Sequence, residues 1–135
     1  MTKYDTVMIE TAVLFAQQSY CKKLQVGAVA VRDGRVLVTG YNGTIAGTNN
    51  CCEDENYKTK DTTIHAEQNL VFYAARKGIS LEGAKVYITH NPCEQCAKAM
   101  AAAGISEVIY KDFYKSDHGL KFLKKCRINY RQHKG

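Results

Sequence analysis

The stretch Lys85–Tyr110, KVYITHNPCEQCAKAMAAAGISEVIY, sets the architecture. Lys85 to His90 alternates as a strand does. Cys93 to Ala103 is small and alanine-rich, which favours a helix, and Gly104 supplies its stop. Val108 to Tyr110 is apolar and β-prone again. A strand, a helix and a second strand in immediate succession call for a crossover between parallel strands.

Upstream, Ile64 to Lys77 reads as a helix closed by Gly78. Val26 to Val31 reads as a buried strand, Asp33-Gly34 as a tight hairpin turn, and Val36 to Tyr41 as the returning antiparallel strand. A first helix, capped by Asp5 or Thr6, runs to about Tyr20, with Val7, Ile9, Val13, Leu14 and Phe15 as its apolar positions. Between the hairpin and the second helix lies a long polar loop, Asn42 to Thr63, of the kind that usually carries function. Downstream, a last helix from about Gly119 leads to a short strand near Ile128. The order α-β-β-α-β-α-β-α-β predicts an α/β fold in which a mostly parallel sheet is covered by helices on both faces. No linker or repeat divides residues 1–135, which read as a single domain.

The 45% hydrophobic and 24% charged composition excludes a disordered chain. No apolar run reaches the roughly 20 residues of a membrane span. Met1 to Glu10 shows no export-signal pattern, so the expected location is cytoplasmic, with no membrane partner. Nineteen Lys and Arg stand against thirteen Asp and Glu, a net charge of +6. The surplus reads as a solvated surface; the alternative is a polyanionic partner met by Lys121, Lys124, Lys125, Arg127, Arg131 and Lys134, interleaved with Phe122 and Tyr130. Six cysteines without an export signal read as thiols rather than as a disulfide framework, and the adjacent Cys51 and Cys52 suit a mutual bridge poorly.

Chemistry concentrates in His65-Ala66-Glu67 and Pro92-Cys93-Glu94-Gln95-Cys96. Cys93 and Cys96 supply two thiolates for a soft divalent ion and His65 a third ligand, a set that leaves one tetrahedral position of Zn²⁺ for water. Both groups open predicted helices, where the positive helix end favours thiolates. Glu67, two residues from His65, is placed to carry a proton rather than to ligate. Hydrolytic deamination of a nucleobase fits this set.

His-x-Glu followed by Pro-Cys-x-x-Cys resembles the signature of the zinc nucleobase deaminases. Together with Val26-Gly27-Ala28-Val29, Gly40-Tyr41-Asn42-Gly43 and His65-Ala66-Glu67-Gln68-Asn69, it makes the chain similar to the small phage and bacterial deoxycytidylate (dCMP) deaminases over nearly its whole length. The resemblance implies a three-layer α-β-α cytidine-deaminase-like fold, with a mixed five-stranded sheet and an N-terminal hairpin. It implies conversion of dCMP to dUMP and ammonia, supplying dUMP for thymidylate synthesis. It implies a homohexamer activated by dCTP and inhibited by dTTP, with Mg²⁺ beside the triphosphate and no nucleic-acid partner.

Carried over by residue, His65, Cys93 and Cys96 match zinc ligands and Glu67 the proton shuttle. Asn42, Ala66, Tyr114 and Ser19 match substrate-binding positions. Tyr41, Gly43, Asn69, Phe72 and Arg76 match the effector region, the last three also sharing one helical stripe. A second, structural zinc is implied at Cys21 and Cys51, with Cys52 or Glu53 replacing ligands this chain lacks and Thr63 standing where the family has a Glu.

Two rivals predict different behaviour. A tRNA adenosine deaminase shares the two metal motifs and would use the basic C-terminal region on phosphates. A zinc-stapled nucleic-acid-binding module would close the metal site with a fourth ligand and leave Glu67 without a role.

Overall fold

The computed structural model describes residues 2–45 and 47–134. Helix α1 (Lys3–Ala16) is followed by strands β1 (Gly27–Arg32) and β2 (Arg35–Tyr41), helix α2 (Ala66–Lys77), strand β3 (Lys85–His90), helix α3 (Glu94–Ala102), strand β4 (Glu107–Asp112), helix α4 (His118–Lys125) and strand β5 (Asn129–Gln132). The predicted order is reproduced. Asp33 and Gly34 both adopt positive φ (54° and 74°), the pair of left-handed residues that a two-residue hairpin of this twist requires.

The sheet order is β2-β1-β3-β4-β5. β1 pairs antiparallel with both β2 and β3, while β3–β4 and β4–β5 are parallel. The sheet is therefore mixed, and the expectation of a mostly parallel sheet is corrected. The hairpin inserts β1 head-down between two strands that run the same way. With β1 reversed, β2, β3 and β4 all end at one edge, and β1 begins there.

Alternation divides the strands' side chains between two cores. Ala28, Ala30, Val86, Ile88 and Val108 face α2, α3 and α4. Val29, Val31, Tyr87 and Ile109 face α1, which covers the other side through Ile9 with Tyr4, Met8 and Phe15. Three helices on one face and one on the other complete an α-β-α sandwich.

Helix α1 departs from its expected limits. Thr2 caps it: its Oγ1 accepts the Asp5 N–H at 3.0 Å, and the Asp5 carboxyl accepts the Thr2 N–H in return. The helix ends at Ala16, not near Tyr20, and its buried face is Asp5, Ile9, Ala12 and Ala16. Val7 and Leu14, expected to be apolar contacts, are exposed. Asp5 is buried because Arg131 grips it with both terminal nitrogens at 3.1 Å and the Tyr87 hydroxyl donates to it at 2.6 Å. Burial alone would raise the Asp5 carboxyl. The hydrogen bonds from Arg131 and Tyr87 outweigh it and hold the group well below the usual carboxylate range.

Candidate metal and nucleotide site

The edge where β2, β3 and β4 end and β1 begins carries a cavity of about 380 Å³, within the small-molecule range. Its floor is formed by the starts of α2 and α3. His65 is the N-cap of α2 and Cys93 the N-cap of α3, both with extended backbone before the first turn. The His65 N–H donates to Gln68 Oε1 at 2.9 Å, which fixes the entry angle of α2. Gly119, at the start of α4, lies so close to Pro92 and Cys93 that a Cβ would collide with their carbonyl oxygens. Thus α4 braces the turn that presents Cys93.

His65, Cys93 and Cys96 converge, with all three donor atoms within 4.8 Å of one another. His65 Nδ1 lies 3.2 Å from Cys96 Sγ and 3.6 Å from Cys93 Sγ. Hydrogen bonding from Cys96, with His65 beside it, brings the Cys93 thiol down to about 4, and the same Cys93 contact together with burial pushes Cys96 up. One sulfur of the pair is thus a ready thiolate. Two sulfurs and one imidazole nitrogen fit a soft, four-coordinate divalent ion with one position left over, and among the described residues no other His, Cys, Asp or Glu group of this kind forms. That favours an open site over a closed staple.

Glu67 lies in the first turn of α2, only 4% exposed, and lines the same cavity. Burial pushes its carboxyl up to about 7, against opposing hydrogen bonds and the neighbouring His65. Such a group exchanges protons near neutrality, as an acid–base residue must.

The other expected substrate residues divide. Asn42, Ala66 and Tyr114 line the cavity. Asn42 is also a structural clip, because its Oδ1 accepts the Val26 N–H and its Nδ2 donates to the Leu24 carbonyl, both at 2.8 Å. Tyr114 stands edge-on to His90, with Lys115 Nζ 5.3 Å from its ring centroid. Ser19 does not line the cavity; its buried Oγ accepts the Cys21 N–H at 3.1 Å.

Sequence reasoning missed Asn91, Ser116, Lys115 and, as a cavity residue, Glu53, all of which line the wall. Asn91 mirrors Asn42: its Oδ1 accepts the Tyr114 N–H at 2.5 Å and its Nδ2 donates to the Ser116 carbonyl at 2.8 Å. An asparagine directly after a strand is a visible signal, since its amide can clip a neighbouring loop.

The cysteines of the long loop depart from expectation. Cys21 and Cys52 form a disulfide across 31 residues, so they are not thiols and offer no thiolate pair to a second zinc. The exposed Cys51 hydrogen-bonds the Glu53 carbonyl instead. Adjacent cysteines do avoid bonding each other, but one of them meets a partner brought near by the fold.

On the other side of α2 a second cavity, about 700 Å³, is lined by Tyr41, Asn69, Phe72 and Arg76. Gly43 is not among its residues and instead bridges to Ile64. In the basic C-terminal region, Arg131 is committed to Asp5 and Glu107 and Lys121 pairs with Asp117. No helix among the described residues is long and apolar enough to cross a membrane.

Residues 2–112 match the model of the cytidine and deoxycytidylate deaminase zinc-binding region. Deoxycytidylate deaminase of Enterobacteria phage T4 is 33% identical over 81% of this chain and 78% of its own length. ComE operon protein 2 of Bacillus subtilis is 42% identical over 76% of this chain, which spans only 56% of that protein. Among solved structures, the dCMP deaminase of cyanophage S-TIM5, in complex with dCMP and dUMP, superposes with a TM-score of 0.95 at 36% identity, covering 98% of this chain and 99% of the other. The chain belongs to the zinc-binding cytidine and deoxycytidylate deaminase family, on its deoxycytidylate deaminase side.

Proposed function

We propose that this protein hydrolyses dCMP: water replaces the exocyclic amine at C4 of the cytosine ring, giving dUMP and ammonia. The observation that carries the reading is a buried Glu67 carboxyl beside the His65, Cys93 and Cys96 donor set on the floor of one cavity. When bound there, zinc supplies Lewis-acid chemistry that makes water nucleophilic near neutral pH. Glu67 takes the proton from the incoming water and returns it to the departing nitrogen. The starts of α2 and α3 fix the floor, and Asn42 and Asn91 hold the loops that orient the nucleotide.

Ammonia release from dCMP by zinc-loaded protein tests this. The parent is expected to turn dCMP into dUMP and leave adenosine in tRNA untouched. Glu67→Ala is expected to keep its zinc and melting temperature while losing about 10²–10⁴-fold in kcat. A zinc-loaded parent that yields no dUMP overturns the reading, and a variant with a tenth of parental activity overturns the role of Glu67.

The reading extends to dUMP supply for thymidylate synthesis in the cytoplasm, by a single domain spanning residues 1–135. Activation by dCTP with Mg²⁺ and inhibition by dTTP are assigned to the second cavity, where Arg76 suits phosphates and Phe72 a base or sugar. A homohexamer is the assembly proposed. Exposed Phe72 and Tyr73 on α2 support burial of that face against another copy.

A further inference from the structure

Two segments outside helix and strand close the cavity on one side. Residues 17–26 lie between α1 and β1, and residues 42–65 between β2 and α2. Lys23, Leu24 and Val26 of the first and Glu53, Thr59 and Thr63 of the second line the wall. Side-chain clips join them: Glu53 Oε2 accepts the N–H groups of Lys22 and Lys23 at 3.0 and 3.1 Å, and Asn42 holds residues 24 and 26. The Cys21–Cys52 disulfide adds a covalent tie between the same two segments.

Cys52 is a node in that wall. Its carbonyl accepts the Lys60 N–H at 2.8 Å and the Thr63 hydroxyl at 3.1 Å, so the limb leading into α2 hangs on the residue that carries the bridge. The two sulfur-bearing residues differ in access. Cys52 is fully buried and is not a cavity residue, whereas Cys21, also buried, lines the cavity. A small molecule therefore reaches the bridge from the nucleotide's side, at Cys21. In the cytoplasm proposed above, a disulfide meets a reducing thiol pool, and one that forms there is usually redox-responsive rather than a permanent staple.

We infer that the Cys21–Cys52 bridge is a thiol-exchange site opening onto the nucleotide cavity, so that reduction of the bridge by a small dithiol and occupation by nucleotide oppose each other. The inference rests on the dCMP reading for the nucleotide's identity. A thiolate of the dithiol attacks the Cys21 sulfur, the S–S bond breaks, and Cys52 leaves as a thiolate that takes a proton from solvent. The dithiol's second thiol loses its proton and displaces Cys21 from the mixed disulfide. Two electrons pass to the protein, whose sulfurs end as two thiols, and the dithiol closes into its own cyclic disulfide. Without the bridge, the two loops must be ordered at the moment of binding, which weakens nucleotide affinity. The floor, set by the starts of α2 and α3, keeps its geometry. Linkage then requires the converse: bound nucleotide favours the disulfide by the same factor.

The test uses zinc-loaded full-length protein and dithiothreitol, with zinc content followed throughout. Reduction is expected to raise the parent's KM for dCMP about tenfold while kcat and zinc stay near their starting values, and reoxidation should restore the KM. In mixtures of dithiothreitol and its cyclic disulfide, saturating dUMP should shift the midpoint of bridge reduction towards the disulfide by the matching factor, about 30 mV for tenfold. The double variant Cys21→Ser/Cys52→Ser is expected to show the reduced parent's KM with or without dithiothreitol. A parent KM that moves less than about threefold once mass mapping shows Cys21 and Cys52 reduced makes the bridge a staple only and overturns the proposal. So does a midpoint that dUMP leaves unmoved, a measurement that decides even if the double variant fails to fold. A double variant that responds to dithiothreitol as the parent does places the effect elsewhere and also overturns it. A parent inactive on dCMP in both redox states overturns the deaminase reading itself, and this assignment with it.

Discussion

Glu67 and Asp5 are both buried carboxyls, and their neighbours drive them in opposite directions. Burial lifts Glu67 to about 7, whereas Arg131 and Tyr87 outweigh burial at Asp5 and hold it low. The depressed Asp5 value has a stability consequence. Its contribution is complete above the unfolded carboxylate value of about 3.9 and is lost as the pH falls through the lower folded value. Tyr87→Phe removes the 2.6 Å hydrogen bond and raises Asp5 towards its ordinary range. Urea unfolding at pH 7 is expected to show a loss of about 1.5–3 kcal/mol. The gap between parent and variant should begin to close only as the pH falls below the unfolded value of about 3.9, and should vanish as it passes through the parent's lower folded value; a gap that stays constant with pH would show that the hydroxyl contributes packing, not charge stabilisation. Of this arrangement the sequence shows only a carboxyl near a helix start. Local pattern carries no information about an Arg131 lying 126 residues away. His65, Cys93 and Cys96 are legible for the opposite reason: metal ligands need particular atoms at short spacings on helix starts, so the constraint is written locally.

At the level of elements, strands β3 and β4 and helices α2 and α3 appear close to where periodicity and glycine stops place them. The 17–26 segment and the 42–63 loop are far less legible, since both are shaped by contacts with each other. The disulfide is the clearest case. Reasoning from compartment makes thiols of all six cysteines, but Cys21 and Cys52 meet because residues 22 and 23 dock on Glu53. Thiol titration of unfolded, metal-stripped and unreduced protein should count four groups, Cys51, Cys93, Cys96 and Cys126, and six after reduction. Six before reduction would remove the bridge. Reduction is expected to cost about 3.7 kcal/mol, the chain-entropy scale for a loop spanning 31 residues, visible as a lower urea midpoint.

Across the whole molecule, the reversed β1 gathers the ends of β2, β3 and β4 at one edge, so residues distant in sequence share a cavity there. The second cavity lies on the outer face of α2, whose first turn belongs to the site. One rigid helix therefore touches both. Arg76→Glu is expected to reduce the dCTP and dTTP responses at least tenfold in half-effect concentration, leaving zinc content and unactivated turnover near parental values. Particle size, measured alongside by sedimentation, separates loss of effector binding from loss of assembly. Parental responses to both triphosphates would leave Arg76 as a cation that complements the end of α2 before Gly78.

The clasp between Asp5 and Arg131 also sets a timetable. Asp5 is made 126 positions before Arg131. At about 5–20 residues per second, some 6–25 s separate them on the ribosome. During that interval α1 can cap itself through Thr2, but its buried carboxyl has no guanidinium to meet. The apolar face of α1 has its partners on β1, β3 and β4 before then, but the clasp that neutralises Asp5, and with it completion of the sandwich, waits on the edge strand β5.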